Sequence, residues 1–139
     1  MSEGDVERLR AGYEALDRGD ISVVRDFIHP EARMHDRPEI PDATTYVGWD
    51  GIVLSLRASR ETFDDFHFIP EQFHEKGDKI VVILRMTGIG RASGVPVEER
   101  IAHLWTVEDG RAVALQAYTS PADALEAAGL SRELAEEDA

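Results

Sequence analysis

The stretch IVVILRMTGIGRASGVPVEERIAHLWTVEDGRAVALQAY, residues 80–118, decides the fold of this chain. Three of its segments are rich in the β-branched and aromatic residues that favour strands: residues 80–89, 97–107 and 112–118. The turns between them contain Gly94 and Gly110, which supply the positive φ that tight hairpins need. The stretch therefore predicts an antiparallel meander.

Two further strands and a loop are predicted before the meander. Residues 66–69 form a strand that joins it through a turn at Gly77. Residues 32–36 alternate apolar and polar side chains, which is the period of a half-buried strand. Proline and glycine in residues 37–48 predict a loop long enough to cover the mouth of a pocket.

Helical spacing marks the first half of the chain. In residues 5–16, apolar side chains recur every three or four positions and charges fill the other face. Asp20 is placed to cap a second, shorter helix, which ends at His29-Pro30 because the residue before proline avoids helical dihedrals. A third helix is predicted to begin near Asp50.

A short helix closes the domain. Ser120 is a typical N-cap, Pro121 suits the first helical position, and Gly129 suits the position after the last turn. We assign residues 1–130 to one domain and expect residues 131–139, which are mostly acidic, to form a flexible tail. The whole order of elements predicts an α+β domain, with helices packed on one face of a bent antiparallel sheet.

Composition excludes several classes of function. A length of 139 residues is typical of one domain, and 42% hydrophobic with 31% charged residues is typical of a globular one. The balance of 15 Lys and Arg against 28 Asp and Glu gives a formal charge of -13, which argues against nucleic-acid or membrane partners. The polar, acidic start and the absence of long apolar runs favour a cytoplasmic location.

The sequence contains none of the compact motifs of cofactor or metal chemistry. It has no cysteine, no glycine-rich phosphate loop, no HExxH and no GxSxG. His67 and His74 are seven residues apart and would lie on opposite faces of a regular strand, and His29 sits at a predicted helix end. We therefore expect neither a cofactor nor a metal.

Three ionisable side chains share faces that are otherwise apolar. Asp36 is in line with Ala32 and Met34, His103 with Ile101 and Trp105, and Tyr13 with the apolar side of the first helix. An unpaired buried carboxylate is unfavourable by several kcal/mol, so such a group is normally neutralised, paired or placed on a cavity. On one shared cavity, Asp36 would suit a general base, while Tyr13 and His103 would hydrogen-bond a developing oxyanion.

Each of the three residues also has a purely structural interpretation. Tyr13 is compatible with a core aromatic whose hydroxyl reaches the surface, His103 with a satisfied core imidazole, and Asp36 with the cap of a turn. These alternatives stay open at the level of sequence, although the conjunction of all three favours a site.

The chain resembles the nuclear transport factor 2-like superfamily, and within it the ketosteroid-isomerase-like and SnoaL-type polyketide-cyclase-like branch. The resemblance covers roughly residues 5–130 and rests on four segments: 9–13 (LRAGY), 19–21 (GDI), 32–36 (ARMHD) and 113–118 (VALQAY). It implies a cone-shaped curved antiparallel sheet with about three helices from the N-terminal half in its concavity and a short C-terminal helix. It also implies a homodimer through the outer sheet face and a small hydrophobic ligand inside.

The resemblance further implies roles for single residues. Tyr13 corresponds to a first-helix tyrosine that donates to a substrate carbonyl oxygen, and Asp36 to a proton-shuttling aspartate. His103 stands where steroid isomerases have a second acidic donor, which argues against true steroid isomerisation. The combination of an Asp with a His and a Tyr also resembles the dehydratases of the superfamily. The implied ligand pocket is apolar: Leu84, Met86, Ile101, Trp105, Leu115 and Ala117.

Two classes of function follow from these observations. The first is a small-molecule enzyme that performs isomerisation, cyclisation or dehydration beside a carbonyl without a cofactor. The second is a non-catalytic domain that binds a hydrophobic ligand or mediates dimerisation, because this fold hosts all of these functions. The outer sheet face predicted to meet a second copy is largely apolar: Val81, Ile83, Thr87, Ala102, Leu104 and Tyr118, with Arg85 and Arg100 among them.

Overall fold

A curved six-stranded sheet, not closed into a barrel, forms the frame of the fold in the computed structural model, which describes residues 2–37 and 45–136. The spatial order of its strands is β2-β1-β6-β5-β4-β3. The predicted α+β fold class is confirmed. The strands are β1 Ile28–His35, β2 Thr45–Val47, β3 Phe63–Lys76, β4 Lys79–Gly90, β5 Pro96–Glu108 and β6 Arg111–Tyr118.

The sheet is mixed rather than wholly antiparallel, because β1 runs parallel to β6. Strands β3 to β6 form the predicted meander of antiparallel pairs. From β1 the chain passes through β2 and a helix to the far edge of the sheet, and it returns strand by strand until β6 lies beside β1. A parallel pair needs such a long connection, which the local sequence pattern does not reveal.

Helices cover the inner face of the sheet, which is the face that carries Val82, Met86 and Ile101. They are α1 Ser2–Asp17, a 3-10 helix at Ile21–Phe27 and α2 Gly48–Thr62. Buried side chains of these helices join those of the inner face in one hydrophobic core. None of the described helices is long and apolar enough to cross a membrane.

The ends of several elements differ from the sequence prediction. His29 lies inside β1 rather than at a helix end, and its Nδ1 accepts a hydrogen bond from the backbone N–H of Glu31 at 3.0 Å. Strand β3 is much longer than the predicted segment of residues 66–69. Part of the predicted loop, residues 45–47, forms β2, and residues 38–44 lie outside the described part of the chain.

Gly48 fixes where α2 begins against β1. Its φ is +65°, and a Cβ at this position would lie 2.6 Å from the carbonyl oxygen of Pro30. Both the backbone conformation and the close approach require glycine. The helix therefore starts beside Pro30, in the first half of β1.

The C-terminal helix α3, Pro121–Ala127, packs on the outer face of the sheet. Ser120 caps it as predicted, since its Oγ accepts a hydrogen bond from the backbone N–H of Asp123 at 3.2 Å. Leu125 of this helix is completely buried. It contributes to a second core with four predicted outer-face residues: Val81, Ile83, Ala102 and Leu104.

This packing corrects the reason for expecting a second copy on the outer face. The apolar residues named for that contact are buried by the chain's own helix, so they do not by themselves require a partner. Charged residues lie beside them: Arg85 and Arg100 both pair with Glu71, at 2.8 and 3.3 Å.

Residues predicted to belong to a flexible tail extend the same outer core. Arg132–Glu136 forms a 3-10 helix in which Ala135 is buried. Arg132 pairs with Asp123 of α3 at 2.7 Å. The segment assigned to a tail thus forms a 3-10 helix as far as Glu136, while residues 137–139 lie outside the described part of the chain.

Candidate functional site

A cavity of about 410 Å³ lies between the inner face of the sheet and the helices that cover it. Helices α1 and α2 form one wall, and the inner side chains of β4, β5 and β6 form the opposite wall. Phenylalanines of β3 line one side: Phe63, Phe66 and Phe68. Tyr13, Asp36 and His103, the three residues selected from the sequence, all line this cavity.

A buried hydrogen-bond chain joins three aromatic side chains at the wall. The indole N–H of Trp105 donates to the hydroxyl oxygen of Tyr13 at 3.0 Å. The same hydroxyl lies 2.6 Å from Nδ1 of His103. Residues 103 and 105 are on one face of β5 because strand side chains alternate, and Tyr13 reaches them from α1.

Packing holds the His103 ring in place. The ring stacks on Tyr13 with a centroid distance of 5.9 Å and an interplanar angle of 20°. Phe68 meets it edge-on at 5.2 Å. Such contacts restrict the orientation of the imidazole, so its nitrogens have fixed directions.

Burial shifts the acid–base behaviour of both groups. It lowers the pKa of His103 to about 4, with a smaller effect in the same direction from the positive charge of Arg37. Burial also raises the pKa of the Tyr13 phenol well above its usual range, against a smaller opposite effect of the Trp105 hydrogen bond. At neutral pH the imidazole and the phenol are therefore both uncharged.

Asp36 follows the last residue of β1 and is half-buried at the cavity. Its backbone carbonyl oxygen accepts a hydrogen bond from Nε2 of Gln116 on β6 at 3.1 Å, which fixes the chain at this point. No hydrogen bond to its carboxylate is formed by the residues that the structure describes.

An ion pair beside Asp36 escaped the sequence analysis. Nη1 of Arg37, which lines the cavity, lies 2.8 Å from Oε2 of Glu99, and the Arg37 side chain is only 21% exposed. Glu99 lies on the same face of β5 as Ile101 and His103, so strand alternation could have predicted that Glu99 faces inward. Nothing in the local sequence points to Arg37, because its partner is far away in the chain.

Five of the six predicted pocket residues line the cavity: Met86, Ile101, Trp105, Leu115 and Ala117. Leu84 does not, because it is completely buried in the core of the inner face. The helical wall instead contributes hydroxyl groups that the sequence analysis missed, from Ser55, Ser59 and Thr62 of α2. Their helical spacing was visible in the sequence, but the direction of that helix face was not.

The described residues contain no group of three or more His, Cys, Asp or Glu side chains that could hold a metal ion. His67 is instead held between Asp17 and Asp65, and these carboxylates raise its pKa. His74 bonds to Gln72, with 2.7 Å between Nε2 and Oε1.

Comparison of the sequence with models of protein families identifies the family of this chain. A family model described as a SnoaL-like domain matches residues 9–115, which include Tyr13, Asp36 and His103. The chain belongs to the SnoaL-like family. The resemblance inferred from four short segments is thereby confirmed.

Solved structures agree with the SnoaL-like assignment. An NTF2-like protein from Burkholderia thailandensis is 29% identical, with a TM-score of 0.74 over 81% of this chain and 88% of that one. TerC, crystallised with polyporic acid, is 22% identical, with a TM-score of 0.72 over 82% and 89%. IdmH from Streptomyces antibioticus, named as a candidate polyketide cyclase, is 22% identical, with a TM-score of 0.68 over 81% and 89%. No curated protein matches the chain in sequence.

Proposed function

We propose that this SnoaL-like protein is an enzyme that performs acid–base chemistry on a small hydrophobic carbonyl compound without a cofactor. The reaction is an isomerisation, a cyclisation or a dehydration. One observation carries the proposal: Asp36, His103 and Tyr13 come from three separate elements and line the same cavity.

Asp36 acts as the base in this proposal. Its carboxylate removes a proton from the carbon next to the ligand's carbonyl group, and the electron pair of the broken C–H bond moves toward the carbonyl oxygen. The protonated carboxyl then returns the proton to a different carbon in an isomerisation. In a cyclisation the enolate carbon attacks a second carbonyl carbon, and the protonated carboxyl gives its proton to the alkoxide that forms. In a dehydration the enolate expels the β-hydroxyl group, which takes that proton and leaves as water.

His103 and Tyr13 form the donor side of the site. They lie in a buried region, where a hydrogen bond to a developing oxyanion stabilises it more than in water. Because both groups are neutral at pH 7, this side of the site stabilises the oxyanion through an uncharged hydrogen-bond donor rather than through a charge.

The ligand class is inferred from the walls of the cavity. Aromatic side chains and apolar strand residues dominate the lining and suit a compound with rings. Polyporic acid in the TerC crystals and the polyketide-cyclase name of IdmH are compatible with this class, although both similarities concern the fold alone.

Substitution of Asp36 tests the catalytic role. Steroids, polyketides and terpenoids are first screened for binding by native mass spectrometry and thermal shift, and bound carbonyl compounds are then followed for turnover. Asp36→Asn is expected to lower turnover at least 100-fold, because it removes the base, while the ligand still binds. The exposed Asp26→Asn serves as the matched control.

Unchanged turnover in Asp36→Asn would refute the assigned role. If the wild type binds ligands but turns none of them over, the protein is a ligand-binding protein rather than an enzyme.

We also propose a homodimer that forms through the part of the outer sheet face not covered by α3. The family resemblance supports it, and Arg85, Arg100 and Glu71 would lie at that contact. Sedimentation velocity at micromolar concentration is expected to give a dimer. A monomer would contradict this assembly.

A further inference from the structure

The hydrogen-bond chain at the cavity wall has a direction that follows from the chemistry of its members. An indole nitrogen only donates, so the Tyr13 oxygen accepts from Trp105. A phenol has a single proton, and a neutral imidazole has a single N–H. The 2.6 Å contact between Tyr13 and His103 therefore has only two possible arrangements.

The distances distinguish the two arrangements. N–H···O bonds in proteins measure about 2.7–3.2 Å, whereas bonds donated by a hydroxyl are shorter. The indole bond of 3.0 Å falls in the first range, and the Tyr13–His103 contact of 2.6 Å falls below it. The phenol is also a stronger acid than an imidazole N–H, and the imidazole nitrogen is the better acceptor. Both observations favour Tyr13 as the donor to Nδ1 of His103.

This direction leaves the proton of the neutral imidazole on the other nitrogen. In the described part of the chain, Nε2 of His103 has no hydrogen-bond partner, and no fully buried side-chain nitrogen or oxygen is left unsatisfied. Since His103 lines the cavity, Nε2 is reached from the cavity itself.

We propose that Nε2–H of His103 is the donor offered to the ligand's oxygen, and that Tyr13 and Trp105 are positioning residues that hold the imidazole in this tautomer. This assignment rests on the proposed function and sharpens it. The phenol is already committed to the protein, so it does not donate to the carbonyl oxygen as the resemblance implied. The ligand must therefore carry an oxygen that accepts a hydrogen bond from an imidazole N–H. Carbonyl and enolate oxygens are acceptors of this kind.

The tautomer can be measured without any ligand. The full chain is labelled with ¹⁵N at its histidines, and two-bond ¹H–¹⁵N correlations are recorded at pH 7. The His103 signals are those that disappear in His103→Gln. We expect them to show a proton on Nε2 and none on Nδ1. A proton on Nδ1 would overturn the proposal.

A second test is the change of the His103 pKa in Tyr13→Phe, because the two arrangements predict changes of opposite sign. If Tyr13 donates to Nδ1, Tyr13→Phe frees that lone pair, and the proton affinity of the ring rises roughly five- to tenfold. If Nδ1–H donated to Tyr13, the same substitution would remove an acceptor and lower the affinity. Arg37 is the charged group that acts on the ring, and it is unchanged in this variant.

Tyr46→Phe is the matched control, because Tyr46 also lines the cavity but forms no bond to His103. It is expected to leave the pKa of His103 unchanged. A fall or no change in Tyr13→Phe would overturn the proposal. If that variant does not fold, the wild-type tautomer decides alone. Neither result depends on turnover, so a failure here and a failure of the proposed reaction are distinguishable.

Discussion

Helices cover both faces of the sheet, but they pack tightly on the outer face and leave a cavity on the inner face. On the outer face, α3 meets β4 and β5 with Leu125 completely buried, and the following 3-10 helix packs against α3. On the inner face, α1 and α2 pack against the strands around a cavity of about 410 Å³. One face therefore contributes mainly stability, and the other accepts unfilled space and buried polar groups.

The difference lies in the side chains that each face presents. The outer core contains alanines and aliphatic residues without a polar side-chain atom, apart from Tyr118 at its margin. The inner face carries the bonded set of Tyr13, His103 and Trp105 in the midst of an apolar core. Buried polar groups are unfavourable unless they are hydrogen-bonded, so the inner face depends on the bonds within this set, whereas the outer core does not.

The largest expected effect compares one leucine from each face. Leu125→Ala on the outer face is expected to lower the free energy of unfolding by about 2–5 kcal/mol, since a fully packed site leaves a new cavity. Leu115→Ala, at the half-buried cavity wall, is expected to lower it by roughly 1 kcal/mol. Urea denaturation measures both values. Equal losses would contradict the contrast between the faces.

Removal of the Tyr13 hydroxyl breaks the polar set on the inner face. Tyr13→Phe is expected to lower the free energy of unfolding by about 1–3 kcal/mol, because Trp105 and His103 each lose a buried partner. Tyr46→Phe, measured in the same denaturation experiment, is the control. A loss no larger than in the control would mean that the hydrogen bonds of Tyr13 contribute nothing to stability.

The buried His103 of the inner face should also make stability depend on pH. Burial lowers the pKa of His103 from its usual 6.5 to about 4 in the folded chain, so the unfolded chain binds more protons between these pH values. Stability therefore falls on acidification from pH 6.5 to 4, with at most about 1.4 kcal/mol per pH unit from this group. His103→Gln should remove that component in denaturation curves recorded at several pH values.

The exposed His67 has the opposite dependence. Because Asp17 and Asp65 raise its pKa, its contribution is complete below pH 6.5 and is lost as the pH rises through the folded value. His67→Gln should therefore lower stability at acidic pH and have little effect at alkaline pH, where the contribution of His67 has already been lost. A change confined to alkaline pH would contradict the assignment.

The smallest effect is expected at the surface of the outer region. Arg132 pairs with Asp123 at 2.7 Å, but both side chains are about half exposed. Arg132→Ala is expected to change stability by less than about 1 kcal/mol. A loss as large as that of Leu125→Ala would mean that the ion pair, rather than apolar packing, holds the C-terminal segment on the sheet.

Periodic patterns in the sequence predicted the parts of the molecule that depend on one element at a time. Strand and helix parity placed Tyr13, Asp36 and His103 on inward faces, and capping chemistry placed α3 at Ser120. These features are local, because alternation along a strand and capping of a helix involve residues near in sequence.

The missed features depend on contacts between distant segments. The parallel pairing of β1 with β6, the ion pair of Arg37 with Glu99, and the docking of α3 on Val81 and its neighbours have no local pattern. The bond between Tyr13 and His103 is equally distant, so the sequence could propose a shared cavity for these residues but not the direction of a proton between them.

The most direct test of the account is a comparison of ligand binding after the cavity has been filled. Ala117→Phe points a large side chain into the cavity from β6, whereas Ala114→Phe lies on the same strand with its side chain on the other face. Ring-containing carbonyl compounds that raise the melting temperature of the wild type are expected to do so in Ala114→Phe and to fail in a folded Ala117→Phe. Equal shifts in both variants would contradict the claim that the inner cavity is the site.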